Sequence, residues 1–179
     1  KTSGHYHGWN ASHTHTFGEV YEVISGTAMY VLQKSPDFDK HPESPEITDI
    51  IFVTVHEGET LLVPPDYGHC SVNIGTTPLV FSNVAYTPAP VIYDSVRAHR
   101  GMAYYVMEDR GGVSTVQNPR YDLVSLPRPK YATVHEDPSL GSDFSVPAYL
   151  NFMERPESYG HLPNPDPYID RIMDLLDFE

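Results

Sequence analysis

Residues 58–73 read GETLLVPPDYGHCSVN, and this stretch decides the fold class. The aliphatic run Leu61 to Val63 ends at Pro64 and Pro65, which lack an N–H and therefore stiffen and stop the strand. Gly58 turns the chain ahead of that run, Gly68 removes bulk beside His69, and Asn73 follows after three intervening residues. An imidazole leaving a stiff strand end is a pre-set ligand, because holding it costs little further ordering entropy. The plainer alternative is a buried histidine hydrogen-bonded within a β core.

Outward from this frame the chain reads as short strands separated by turns. FGEVYEVIS, a turn at Ser25-Gly26-Thr27 and AMYVLQK form a hairpin over residues 17–34, with β-branched and aromatic residues dominating both arms. SPDFDKHPESPE (35–46) is an exposed loop with three prolines. ITDIIFVTVHEG, ETLLVPP, HCSVNIG and PLVFSNVAYT follow as strands, and YYVMED and GVSTVQ flank Arg110-Gly111-Gly112 as a last hairpin. This spacing suggests a sandwich or barrel. From about Leu126 the chain turns to proline-spaced segments and ends in PYIDRIMDLLDFE. There Ile169, Ile172, Met173, Leu175 and Leu176 share one broad face of a short amphipathic helix. Such a tail packs on the barrel or on a second subunit, since about 50 residues this rich in proline make a poor core of their own.

Composition narrows the function classes. The 24 acidic and 11 basic residues give a formal charge of −13, which argues against nucleic acid or an anionic membrane surface as partner. It also means that an anionic substrate has to be captured by local donors against an unfavourable overall field. Cys70 is the single cysteine, so no internal disulfide forms, and a reducing, cytoplasmic compartment is expected. No apolar run approaches the ~20 residues that cross a bilayer, and no signal peptide opens the chain. Lys1 is followed at once by motif residues, so further barrel strands are expected upstream of it.

The second half of a site lies in residues 19–26. Glu19, Tyr21 and Val23 share one strand face and Val20, Glu22 and Ile24 the other. One glutamate therefore points inward, and the six residues between Glu19 and Gly26, which resemble the E-x6-G of a cupin motif, select Glu19 and leave Glu22 as the solvated one. Two H-x-H pairs compete for the remaining ligand positions, each with both imidazoles on one strand face. His13 and His15 stand close before Glu19, whereas His5 and His7 need a longer loop, so spacing alone favours His13 and His15.

The frame Gly58–Asn73 and the E-x6-G of Glu19 and Gly26 resemble the two cupin motifs. That likeness implies an all-β cupin barrel (double-stranded β-helix, or jelly roll) over residues 1–124, with residues 125–179 as a proline-rich tail carrying a short helix. Within the cupins, TSGHYH (2–7), EVY (19–21), the LQ of Leu32-Gln33, VPPDYGH (63–69) and VNIG (72–75) resemble the cupin-type glucose-6-phosphate isomerases. The resemblance runs to about Asn118-Pro119-Arg120. It implies a metal on His5, His7, Glu19 and His69, with His13 and His15 in an enlarged substrate-side loop. It further implies Thr2 and the Gly4 amide at a phosphate, Tyr21 beside Glu19 orienting the sugar, and Tyr86 and Tyr93 on the substrate side. The segment YTPAPVIYDSV (86–96) departs from the family pattern, with a family histidine replaced near Val91.

Three imidazoles and a carboxylate leave open positions on one divalent transition metal ion, and iron, manganese, nickel and zinc all tolerate that set. An open position can polarise neighbouring sugar oxygens. The resemblance implies a metal-dependent aldose–ketose isomerase for glucose 6-phosphate and fructose 6-phosphate, acting as a homodimer. Glu19 is then the candidate base through a cis-enediol, with a hydride shift as the competing route; cation binding lowers its basicity. Another cupin enzyme, such as an isomerase for a different sugar phosphate or an iron dioxygenase, and a non-catalytic sugar-binding barrel are the alternatives. The fold alone does not choose among them.

Overall fold

The computed structural model describes residues 1–9, 12–109 and 112–179. In chain order the strands are β1 (Tyr6–His7), β2 (Glu19–Ser25), β3 (Thr27–Lys34), β4 (Asp49–His56), β5 (Thr60–Val63), β6 (Tyr67–Asn73), β7 (Val80–Ala85) and β8 (Val91–Ile92). Helix α1 (Asp94–Ala98), β9 (Tyr104–Asp109), β10 (Gly112–Gln117) and β11 (Lys130–Val134) follow, then α2 (Ala148–Glu154), α3 (Ile169–Met173) and β12 (Leu176–Phe178). Among the described residues no helix is long and apolar enough to cross a membrane.

Two sheets face each other. The larger has the order β12-β11-β4-β3-β6 and the smaller β5-β2-β7. β1 joins the larger sheet beyond β6 through the His5–His69 bridge and also pairs with β8. Among the described residues the all-β, jelly-roll-type architecture is thus two facing layers, without a ladder that closes all the way round. Between the layers lies a core built on Tyr21, Val23, Tyr30, Leu32, Ile51, Val53 and Leu61. The outer face of the larger sheet buries Tyr6, Val31, Phe52 and Cys70 with Phe38, Met102 and Tyr121. The outer face of the smaller sheet buries Val20 and Leu62 under Leu140, Tyr159, Leu162, Ile172 and Leu175. Strands covered on both faces explain the near-continuous apolar runs of β3 and β5.

Several expectations need correction. Residues 17–34 are not a hairpin: β2 pairs with β5 and β7, while β3 pairs with β4 and β6. Gly26, at φ +92°, carries the chain from one layer to the other, a corner that a residue with a Cβ enters only with strain. Glu22 is not left to solvent, because the tail covers that face: Ala148 N–H donates to its carboxylate at 3.0 Å and the Ser82 hydroxyl at 3.2 Å. The 35–46 loop is largely exposed, but Ser35 and Phe38 are buried, and the Phe38 ring stacks on Tyr6 at 4.2 Å. The C-terminal helix is shorter than its apolar periodicity suggests. It ends at Met173, and Leu176 sits in β12, paired with Val134 of β11. β11 in turn runs parallel to β4, so tail residues complete the larger sheet. The Arg110-Gly111 part of the predicted last turn lies outside the described residues, while its arms β9 and β10 pair antiparallel as expected.

Candidate metal centre

Alternation along β1 and β6 builds the site. Tyr6 faces the outer core, so His5 and His7 face the other way. On β6, Gly68 lies under the Tyr6 ring, and a Cβ there would sit 2.6 Å from ring carbons. Gly68 therefore does remove bulk next to His69, but the bulk it admits is Tyr6. Gln33 locks the arrangement: its side-chain amide donates to Tyr6 OH at 2.6 Å, and its carbonyl oxygen accepts from Ala103 N–H at 2.7 Å. With β1 seated in this way, His5 N–H donates to His69 O at 3.1 Å and His69 N–H to His5 O at 2.8 Å.

Glu19 opens β2 on the facing layer and reaches across to these imidazoles. Its Oε2 lies 3.6 Å from His5 Nε2, 3.4 Å from His7 Nε2 and 3.0 Å from His69 Nε2. Donor atoms of His5, His7 and Glu19 all lie within 4.8 Å of one another, a group able to hold a metal ion. The donor chemistry fits such an ion: imidazole nitrogens meet a carboxylate in a buried place where each anionic oxygen needs a partner. Burial pushes the Glu19 carboxyl upward, but the three imidazoles outweigh it and hold the group well below the ordinary carboxylate range. Burial also lowers His69, which favours the neutral form that a metal ligand requires. His7 is buried with its Nδ1 unpartnered.

Tyr21, one turn of the pleat along from Glu19, places its OH 3.2 Å from His69 Nε2. Burial and the Glu19 charge raise its phenol far above the usual value, so it stays a hydroxyl. Asn83, which the motifs do not single out, donates its side-chain N–H to Glu19 Oε1. Its signal in the sequence is alternation: Phe81 faces the inner core, so a polar residue two positions on faces inward too. A cavity of about 360 Å³ opens over this group, lined by His5, His7, Glu19, Tyr21, Asn83, Tyr86 and Tyr93 among others.

The other H-x-H pair goes elsewhere. His15 Nδ1 lies 2.7 Å from Asp66 Oδ2, and Asp66 also accepts from Thr16 N–H at 3.0 Å. The Thr14 and His15 amides donate to Asp166 at 2.9 and 3.1 Å. Neither His13 nor His15 reaches Glu19; both belong to a loop clipped between the β5–β6 turn and the tail. Thr2 is engaged with β6: its hydroxyl accepts from Ser71 N–H at 3.0 Å, and its own N–H donates to Ser71 O at 2.9 Å. Gly4 lines a separate cavity that adjoins the metal-side one at Tyr93.

Two facing β layers with imidazoles and a carboxylate gathered from different strands are of the cupin type. The family model described as Glucose-6-phosphate isomerase (GPI) matches residues 1–123, and the chain belongs to that family. Among similar proteins, the glucose-6-phosphate isomerase of Pyrococcus furiosus is 31% identical over 121 residues, covering 67% of this chain and 54% of the relative. That of Thermococcus onnurineus is 30% identical over 120 residues, covering 67% and 54%. That of Thermococcus litoralis is 29% identical over 123 residues, covering 68% and 55%. The chain thus spans about half the length of these relatives.

Proposed function

We propose that this chain carries the active site of a metal-dependent aldose–ketose isomerase that interconverts glucose 6-phosphate and fructose 6-phosphate. The single observation that carries the reading is the convergence of His5, His7 and His69 on one oxygen of Glu19, inside the segment that matches the family. These four residues would hold one divalent transition metal ion, with iron, manganese, nickel and zinc all compatible with the donors. When bound, that ion supplies Lewis acidity to neighbouring oxygens of the sugar.

The protein's own groups do the rest. Asn83 and the imidazoles hold the Glu19 carboxylate in place. The same contacts depress its basicity, so proton transfer by Glu19 needs that grip to loosen when substrate is bound. Tyr21, kept protonated, offers an O–H beside the reacting end. Tyr86 and Tyr93 wall the cavity on the sugar side. The reading includes a cytoplasmic homodimer, supported by Met107, Val113 and Val116, which stand exposed on the β9–β10 hairpin, a surface suited to a second copy. It also divides the chain at residues 124 and 125 into barrel and tail.

The test is a coupled assay of fructose 6-phosphate conversion before chelation, after it and after return of each metal. Activity should vanish on chelation and return with at least one ion. A folded, metal-loaded protein that converts no fructose 6-phosphate would sink the proposal.

A further inference from the structure

We infer that Asn83 is a substrate-binding residue whose amide, oriented by Glu19, takes the sugar hydroxyl next along the chain from the two isomerising carbons; this rests on the sugar-phosphate reading above and deepens it. β7 pairs with β2 so that Asn83 stands opposite Tyr21 and Ala85 opposite Glu19. Alternation then sends Asn83 to the metal side and its neighbour Ser82 to the other, and each meets a different glutamate of β2. The Ser82 hydroxyl donates to Glu22 under the tail at 3.2 Å, whereas Asn83 donates a side-chain N–H to Glu19 Oε1.

The two oxygens of Glu19 thereby have different neighbours. Oε2 faces the Nε2 atoms of His5, His7 and His69, and Oε1 faces Asn83. A carboxylate only accepts, so the amide must turn its NH2 to Glu19, and this fixes where its carbonyl oxygen lies. That oxygen and the second amide hydrogen have no partner among the described residues. Asn83 is also exposed, whereas Glu19, Tyr21, His7 and His69 are buried, and it lines the metal-side cavity beside Glu19 and Tyr21. It is therefore a polar group held in one orientation and presented to the cavity. A sugar hydroxyl both donates and accepts, so it matches either free end of the amide. With the isomerising carbons on the imidazole side of Glu19, the next carbon of the chain comes level with Oε1 and Asn83.

The test removes the hydroxyl and the amide in turn. Glucitol 6-phosphate has no carbonyl and cannot isomerise, so its binding is read by calorimetry, without turnover, on protein saturated with metal. The wild type should bind 3-deoxyglucitol 6-phosphate about tenfold more weakly than glucitol 6-phosphate. Asn83→Leu, which keeps the shape of the amide, should bind the two within about twofold of each other, as should Asn83→Ala, which cannot crowd the cavity. The preference in kcat/KM for fructose 6-phosphate over its 3-deoxy form should collapse in the same variants. Ser82→Ala, on the same strand but facing the tail, should keep the wild-type discrimination. Equal binding of the two polyols by the wild type, or discrimination that survives in folded Asn83→Leu and Asn83→Ala, would overturn the inference. If those variants still discriminate while fructose 6-phosphate is converted, the contact falls and the isomerase reading stands. If the wild type discriminates through Asn83 yet converts no fructose 6-phosphate, the isomerase reading fails and the contact stands.

Discussion

His5-Tyr6-His7 and His13-Thr14-His15 have the same pattern, sit in one stretch of chain and meet opposite fates. The first pair lies on and beside a strand whose middle residue is gripped by Gly68, Phe38 and Gln33, so both imidazoles turn to Glu19. The second lies in a loop whose neighbouring carboxylates, Asp66 and Asp166, take its amides and face both of its rings. The difference teaches that what packs on the residue between two histidines sets where both imidazoles point. Short spacing to the glutamate, which favours His13 and His15, is overridden because an extended strand needs hydrogen-bonded neighbours and only residues 5–7 have them.

The comparison breaks most directly at the imidazoles. His5→Ala and His7→Ala should strip the metal and lower isomerase activity by roughly a hundredfold or more, since even an outer partner of a ligand is worth about 10–100-fold. His13→Ala should leave metal content, read by elemental analysis, unchanged. If His13→Ala loses the metal and His5→Ala keeps it, the assignment is reversed.

A subtler break leaves every ligand in place. Gly68→Ala drives a methyl into the Tyr6 ring, which Phe38 and Gln33 prevent from moving aside. Unfolding in urea should show a loss of roughly 3 kcal/mol, the upper end of overpacking costs, together with weaker metal binding. Full stability and full metal affinity in that variant would show that Tyr6 does not set the pair.

The second pair depends on the tail, and the tail contains a buried histidine of a third kind. His161 donates its Nε2–H to Leu140 O at 3.1 Å, and burial lowers its pKa from 6.5 to about 4. As pH falls, the unfolded chain therefore takes up this proton first, and stability drops between about pH 6.5 and about pH 4. From about pH 7 to about pH 5 the loss should be about 2 kcal/mol. His161→Leu should remove that part of the slope in urea titrations at the two pH values; an unaltered slope would place the titration elsewhere. The smallest effect belongs to Asp166→Ala. It should speed hydrogen exchange at the Thr14 and His15 amides without changing metal content, because the contact is exposed at Thr14 and only part-buried at His15.

Much of this is legible in the sequence. Prolines, glycines and β-branched runs place β4, β5, β6, β7, β9 and β10 because turn chemistry is local. His69 and Glu19 are legible for the same reason: each is held by its own strand, and period-two alternation assigns the face. Alternation with Phe81 also turns Asn83 inward, although no motif includes it. The layer change at Gly26 was not legible, since a tight turn looks alike whether the next strand pairs or crosses over. Nor was the fate of Glu22, whose solvent was displaced by residues more than a hundred positions away, at Ala148.

The sequence by itself therefore determined an all-β chain with a histidine on one strand and an inward glutamate on another, because backbone sterics and alternation act over a few residues. The family resemblance pointed to His5 and His7 where spacing pointed to His13 and His15, and only the tertiary structure gathered the first pair round Glu19 and made tail strands finish the larger sheet. Those outcomes depend on long-range pairing and burial, which no local pattern encodes.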